Sequence, residues 1–89
     1  MSLAQRFGCN LATHRQRVGV SQEELSFRAA LHRTEIGLLE RGERVPRIDT
    51  LMKLAGALGV NSAALLDGLE WTPAELTAGS FHFGGEGGP

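Results

Sequence analysis

One cysteine, three histidines and ten carboxylates are the groups in this 89-residue sequence that could carry covalent, metal or acid–base chemistry. Cys9 has neither a histidine nor a helix start placed to activate it as a nucleophile. His14, His32 and His82 do not fall at metal-ligand spacing. No carboxylate pair stands out, and the glycines between 84 and 88 follow no strand–helix unit, so they form no phosphate cradle. Catalysis, a metal and an organic cofactor are therefore not expected. A single cysteine also forms no intramolecular disulfide framework, which fits a reducing cytoplasm.

What remains is arginine. Residues 1–50 hold eight arginines against six acids, whereas residues 51–89 hold Lys53 against Asp67, Glu70, Glu75 and Glu86. The overall charge is −1, but segregation of this kind suits one basic face and one neutral or acidic face. A weakly basic protein should bind random DNA poorly at physiological salt, because such binding comes mainly from neutralised phosphates. Hydrophobic residues make up 42% and charged residues 21%, ordinary for a globular chain. No stretch approaches the roughly 20 apolar residues of a membrane helix. The start, Met1 to Arg6, lacks a signal-peptide layout. One domain of this size buries roughly 60–65% of its unfolded surface, so pairing with a second copy would help its stability.

The elements that must position these side chains are readable in order. Phe7, Leu11, Arg15 and Val18 fall at helical spacing from Ala4 to Arg17, and Gly19 sits where a C-cap glycine belongs. Ser21 with Glu24 has the form of a capping box, predicting a second helix from Gln22 to Ala29 with Leu25 and Ala29 inward. After a break at Ala30-Leu31, a third helix spans Arg33 to Arg41, with Ile36 and Leu39 on one face and Gly42 as its stop. Two short helices joined by about four residues have the dimensions of a DNA-reading helix-turn-helix. Pro46 marks a loop. A fourth helix starts at Asp49 or Thr50 and buries Leu51, Leu54, Ala55 and Leu58. A fifth starts at Ser62 and contains Leu65 and Leu66, closed by Gly68. Beyond it, Glu70 to Leu76 reads as a loop or one helical turn. Ser80–Phe83 alternates as a short strand would, and residues 84–89 read as a flexible end.

The string Ser21-Gln22-Glu23-Glu24-Leu25, Arg28-Ala29, Leu31, Ile36, Leu39-Glu40-Arg41-Gly42, Pro46 and Leu51-x-x-Leu54-Ala55-x-x-Leu58-Gly59-Val60 resembles the repressor/Cro-type (Xre-type) helix-turn-helix family over about residues 7 to 67. The resemblance implies an all-α, five-helix DNA-binding domain over residues 1–68, followed by a tail, residues 69–89, with at most one strand. It implies a homodimeric, cytoplasmic transcriptional regulator, most simply a repressor, on a two-fold-related operator with half-sites about 34 Å apart. In such proteins the N-terminal residues of the third helix face base edges in the major groove. Here these are His32, Arg33, Thr34 and, one turn on, Leu38, a departure because that position is commonly polar. Arg33 is the strongest reader, since a guanidinium can bond guanine O6 and N7 together. Glu35 would repel phosphate, and it either accepts from a cytosine amino group or turns away to act as a charge at the helix N-terminus.

Phosphate contacts are expected from Gln22, Arg44 and Arg47, with Arg41 as a further candidate; such contacts position the protein without reading sequence. The resemblance pairs Arg15 with Glu40 as a structural ion pair. Gly37 either eases helix packing or lets the backbone approach DNA. Dimerisation is expected through Val60, Leu65, Leu66, Leu69 and the aromatic tail of Trp71, Phe81 and Phe83. That tail either crosses to the partner or lies on its own subunit. A different class of function is an antitoxin or another protein-interaction adaptor on the same fold, with a toxin or other protein as partner.

Overall fold

A computed structural model describes residues 1–73 and 79–83 of the chain. Helix α1 (Leu3–Val18) opens on a complete capping box that the sequence reading missed. The Ser2 hydroxyl accepts from the Gln5 amide, and the Gln5 side chain accepts from the Ser2 amide. It closes on Gly19 in the left-handed region, whose amide reaches back to the Arg15 and Gln16 carbonyls. Helix α2 (Gln22–Ala29) begins at Ser21 as predicted, with the Ser21 hydroxyl accepting from the Glu24 amide at 3.0 Å. The reciprocal half of that box does not form. Glu24 instead accepts from Arg28 Nε at 3.1 Å, because an i,i+4 ion pair competes for the same carboxylate.

The turn into the third helix is made by Ala30, with φ +56°. A residue with a Cβ gives up about 1–2 kcal/mol in that conformation. The turn is held by the Leu31 amide, which donates to the Ser26 carbonyl at 2.9 Å. Helix α3 (Arg33–Glu40), α4 (Ile48–Leu58) and α5 (Ser62–Leu65) follow. Helix α4 starts slightly earlier than expected, and Leu66 is the C-cap of α5 rather than part of it. Asn61 caps α5, its side chain accepting from the Ala63 amide at 2.9 Å.

All five helices contribute to one core. Phe7 and Leu11 come from α1, Leu25 and Ala29 from α2, Ile36 and Leu39 from α3, Leu54, Ala55 and Leu58 from α4, and Leu65 from α5. Val20, Leu31, Leu51 and Val60 pack at its margin. Leu65 corrects an expectation. It is 0% exposed within its own subunit, because the short α5 turns that side chain onto α1 and α4, and it has no surface to give a partner. Helix α1 comes unusually close to the end of α3. A Cβ placed on Gly8 would strike the Leu39 carbonyl oxygen and stand 2.7 Å from that of Glu40.

Beyond the helices, Leu69–Thr72 form strand β1 and Ser80–Phe83 form β2. They pair antiparallel in the register Leu69↔Phe83, Glu70↔His82, Trp71↔Phe81, Thr72↔Ser80. The expected strand at 80–83 is present. The expected loop or helical turn from Glu70 is instead a strand, because Leu69 and Trp71 alternate with polar residues and find a hairpin partner in the same chain. The part of that expectation on residues 74–76, and the flexible end at 84–89, lie outside the described residues. Trp71 and Phe81 meet edge to face, their ring centroids 5.0 Å apart, in the geometry aromatic quadrupoles favour. Gly79 makes room for the indole, since a Cβ there would collide with the Trp71 ring. Helix α1 ties the hairpin's base to the domain. Asn10 Nδ2 donates to the Leu65 and Asp67 carbonyls at 3.0 and 2.9 Å, and Arg6 Nε reaches Asp67 O at 3.5 Å. Neither residue stood out in the sequence.

Candidate nucleic-acid interface

One ion pair ties the end of α3 to α1. Arg15 projects from the last turn of α1 toward the C-terminal end of α3. Its Nε donates to Glu40 Oε2 at 2.6 Å and its Nη2 to Oε1 at 3.0 Å, a two-point fork. The Arg15 and Glu40 side chains are 15% and 8% exposed, so little water competes for them. Two further bonds extend the cluster. Arg15 Nη1 donates to the Val20 carbonyl at 3.0 Å, and Gln22 Nε2 donates to Glu40 Oε1 at 2.9 Å. The hydrogen bond to Glu40 raises the Arg15 pKa above the ordinary guanidinium value. A group raised in this way keeps its stabilising charge at every pH below the arginine range and loses it only above that range. Alkaline conditions short of it leave Arg15 charged in the pair.

This cluster joins α1, the entry to α2 and the exit of α3. It fixes the angle between the two helices of the motif, and it gives Gln22 a role that spacing did not reveal. The Gln22 amide nitrogen, expected to contact phosphate, holds Glu40 in this structure. The residue also lines an open cleft of about 400 Å3 with Arg33, Thr34, Gly37 and Arg41.

That cleft lies between the start of α2 and the outer face of α3, and it gathers several of the residues expected to touch DNA. Arg33 and Thr34 are exposed on the first turn of α3, and His32, its N-cap, is exposed without making a side-chain cap bond. Leu38 is half-buried and does not line the cleft. Glu35 is turned from the helix start toward the following loop, where its Oε2 stands 3.9 Å from Arg44 Nη1. Gly37 serves side-chain packing: the Arg41 guanidinium lies over it, with Nη1 2.9 Å from where a Cβ would be.

The other cations on this side also face acids. Arg33 Nη1 is 3.7 Å from Glu23 Oε2, Arg41 Nε 2.6 Å from Glu43 Oε2, and Arg47 Nε 3.2 Å from Asp49 Oδ1. These pairs are exposed, so each contributes little to stability. Among the described residues no group of three or more histidine, cysteine, aspartate or glutamate side chains could hold a metal ion. None of the described helices is long and apolar enough to cross a membrane.

A bihelical motif with a polar, arginine-lined outer face, braced from behind by a third helix, is the layout of a helix-turn-helix DNA-binding domain. A helix-turn-helix family model matches residues 11–65, and the chain belongs to the Xre/Cro-type helix-turn-helix family of DNA-binding transcriptional regulators. It is 37% identical over 73 residues to y4dJ, an uncharacterised HTH-type transcriptional regulator of Sinorhizobium fredii, covering 82% of this chain and 95% of that protein. It is 48% identical over 48 residues to the control protein C.BamHI of Bacillus amyloliquefaciens, covering 54% of this chain and 59% of that one. Among solved structures, the restriction-modification controller protein C.AhdI of Aeromonas hydrophila superposes with a TM-score of 0.68 at 37% identity, over 70% of this chain and 94% of the other. These likenesses are to regulators, and they favour DNA binding over an adaptor role on the same fold.

Proposed function

We propose that the chain is a homodimeric repressor that reads a two-fold-related operator by placing α3 in the major groove. The observation that carries this reading is the cleft in which Arg33, Thr34 and Arg41 stand exposed beside the start of α2, on a helix braced by Arg15 and Glu40. Arg33 supplies bidentate recognition of guanine, and Thr34 reads a neighbouring base edge or a thymine methyl. Arg41, Arg44 and Arg47 neutralise phosphates on either side, and Gln22 reaches the backbone once it exchanges Glu40 for a phosphate. Relatives that carry restriction-modification controller names suggest a target class, a promoter serving restriction–modification genes. Control by concentration or a partner suits a domain with no ligand-binding module among its described residues.

The test is selection of bound genomic fragments, followed by titration of the best fragment against a scrambled duplex. A palindromic site bound about 10³-fold or more tighter than the control is the expected result. Fragments lying upstream of unrelated genes would remove the restriction–modification assignment and leave the regulator intact. With the site in hand, Arg33→Ala should cost about 1–3 kcal/mol at the operator and relax preference at one base pair. Arg47→Ala should weaken operator and scrambled DNA alike and reduce the salt slope by about 1. Equal losses on both duplexes for Arg33→Ala would remove its assignment as a base reader.

The dimer is assigned to the end of the domain beyond α5. Leu66, Trp71 and Phe81 are 39%, 55% and 49% exposed there, with Leu69 half-buried beside them. Phe83 enters through its backbone pairing with Leu69. A two-stranded hairpin is marginal alone in water, and a partner over its aromatic pair would stabilise it. Of the two arrangements open for the tail, the strand at 80–83 is paired within its own subunit, so a partner would meet a preformed hairpin. Trp71→Ala with Phe81→Ala should weaken self-association about tenfold or more, on the scale of burying large apolar side chains. Sedimentation of both chains across a concentration series measures it, and an unchanged dimer would move the interface elsewhere.

A further inference from the structure

The four arginines assigned to DNA share a feature their assignment does not require. Each already faces a carboxylate of its own chain: Arg33 with Glu23, Arg41 with Glu43, Arg44 with Glu35 and Arg47 with Asp49. We propose that these carboxylates stand in for DNA phosphates in the free protein and set its specificity by suppressing binding to non-operator DNA. The proposal rests on the reading of the chain as a DNA-binding regulator and concerns the same face.

In a loose complex on arbitrary sequence the side chains keep their internal partners. The face is then close to neutral, and few counterions are released from the duplex. At an operator, short phosphate contacts and the guanine edge replace the carboxylates, and opening an exposed ion pair costs little. Each acid therefore removes nearly a whole neutralising charge from the non-specific mode but only the small opening cost from the specific one. Glu43 and Asp49 stand two residues from Arg41 and Arg47, so these pairs travel with the arginines however the domain docks. A net charge of −1 leaves the chain no cationic surplus to compensate.

The double variant Glu43→Gln/Asp49→Asn tests this in the full chain. It changes charge with almost no change in size. The carboxamide that replaces the Asp49 carboxylate keeps an oxygen for the Thr50 amide, to which Asp49 Oδ1 is bonded at 3.0 Å. A charge-matched control, Glu75→Gln/Glu86→Gln, removes two acids of the tail that belong to none of these pairs. Affinity is measured against salt on a random-sequence duplex and on the selected operator, with thermal melts to establish that all three proteins fold alike. On the random duplex the variant should gain about tenfold or more near physiological salt, with a slope steeper by about 1.8. At the operator it should change by about threefold or less, the scale of opening exposed pairs, and the control should leave both duplexes unchanged. Three results would overturn the proposal: no gain on random DNA, an equal gain on both duplexes, or the same gain from the control. If the parent chain selects no operator, the regulator reading fails, while the random-duplex comparison still decides whether the acids screen the face.

Discussion

Arg15→Ala should lower the thermal midpoint by more than about 12 °C, the largest effect of any single charge removal in this protein. Removing one partner of a buried, hydrogen-bonded pair costs about 3–5 kcal/mol, and a domain of this size shifts by about 4–8 °C per kcal/mol. The loss is large because Glu40, at 8% exposure, would keep only the Gln22 amide as a side-chain partner. The Val20 carbonyl, beside the turn into α2, would lose its Arg15 donor as well. Replacing both members, Arg15→Met with Glu40→Leu, should recover much of the loss, since no charge is then left stranded. Circular-dichroism melts of the two single variants and the double decide the matter. A single variant melting within about 2 °C of the parent, less than 1 kcal/mol on the same scale, would show that the pair does not brace the fold.

Gly8→Ala should be strongly destabilising although it adds only a methyl. In an exposed helix interior the substitution would stabilise by about 1 kcal/mol. Here the new methyl meets two backbone carbonyl oxygens and a carbonyl carbon at the end of α3, none of which can rotate aside. Helices α1 and α3 would have to separate, and overpacking of this kind costs about 1–3 kcal/mol and occasionally more. Because α3 is the helix proposed to read the operator, the shift should also weaken operator binding at temperatures where the variant is still folded. Gly56→Ala provides the opposing case. Gly56 lies exposed within α4 with nothing within 4 Å of its missing Cβ, so alanine there should raise the midpoint. Equal melting of the Gly8 and Gly56 variants would contradict the close contact between α1 and α3.

The helices and most of the core were legible because both depend on local rules. Period-3.6 placement of Leu25, Ile36, Leu39, Leu54 and Leu58 marks which side must be dry, and Ser21, Gly19, Gly42 and Gly59 punctuate the segments by their own backbone preferences. The exposed start of α3 was legible for the same reason, since polar residues preceding an apolar face must lie on the wet side. Family resemblance supplied the Arg15–Glu40 pairing, which no periodicity contains.

Tertiary structure alone decided the rest. Nothing in the local sequence marks Gly8, and only the approach of α3 shows what a methyl there would strike. Gln22 is legible in the sequence only as a candidate phosphate contact, and its bond to Glu40 exists because the fold brings together residues eighteen positions apart. Leu65 has the same composition cues as Leu66, yet one fills the core and the other lies outside, because a four-residue helix turns neighbouring side chains through about 100°. Trp71 became part of a strand only because Phe81 was available opposite it, and strand pairing is a contact between distant residues. The carboxylates beside the arginines proposed to contact DNA divide along the same line. Glu43 and Asp49 are visible as neighbours in the chain, whereas Glu23 reaches Arg33, and Glu35 reaches Arg44, only after the helices have packed.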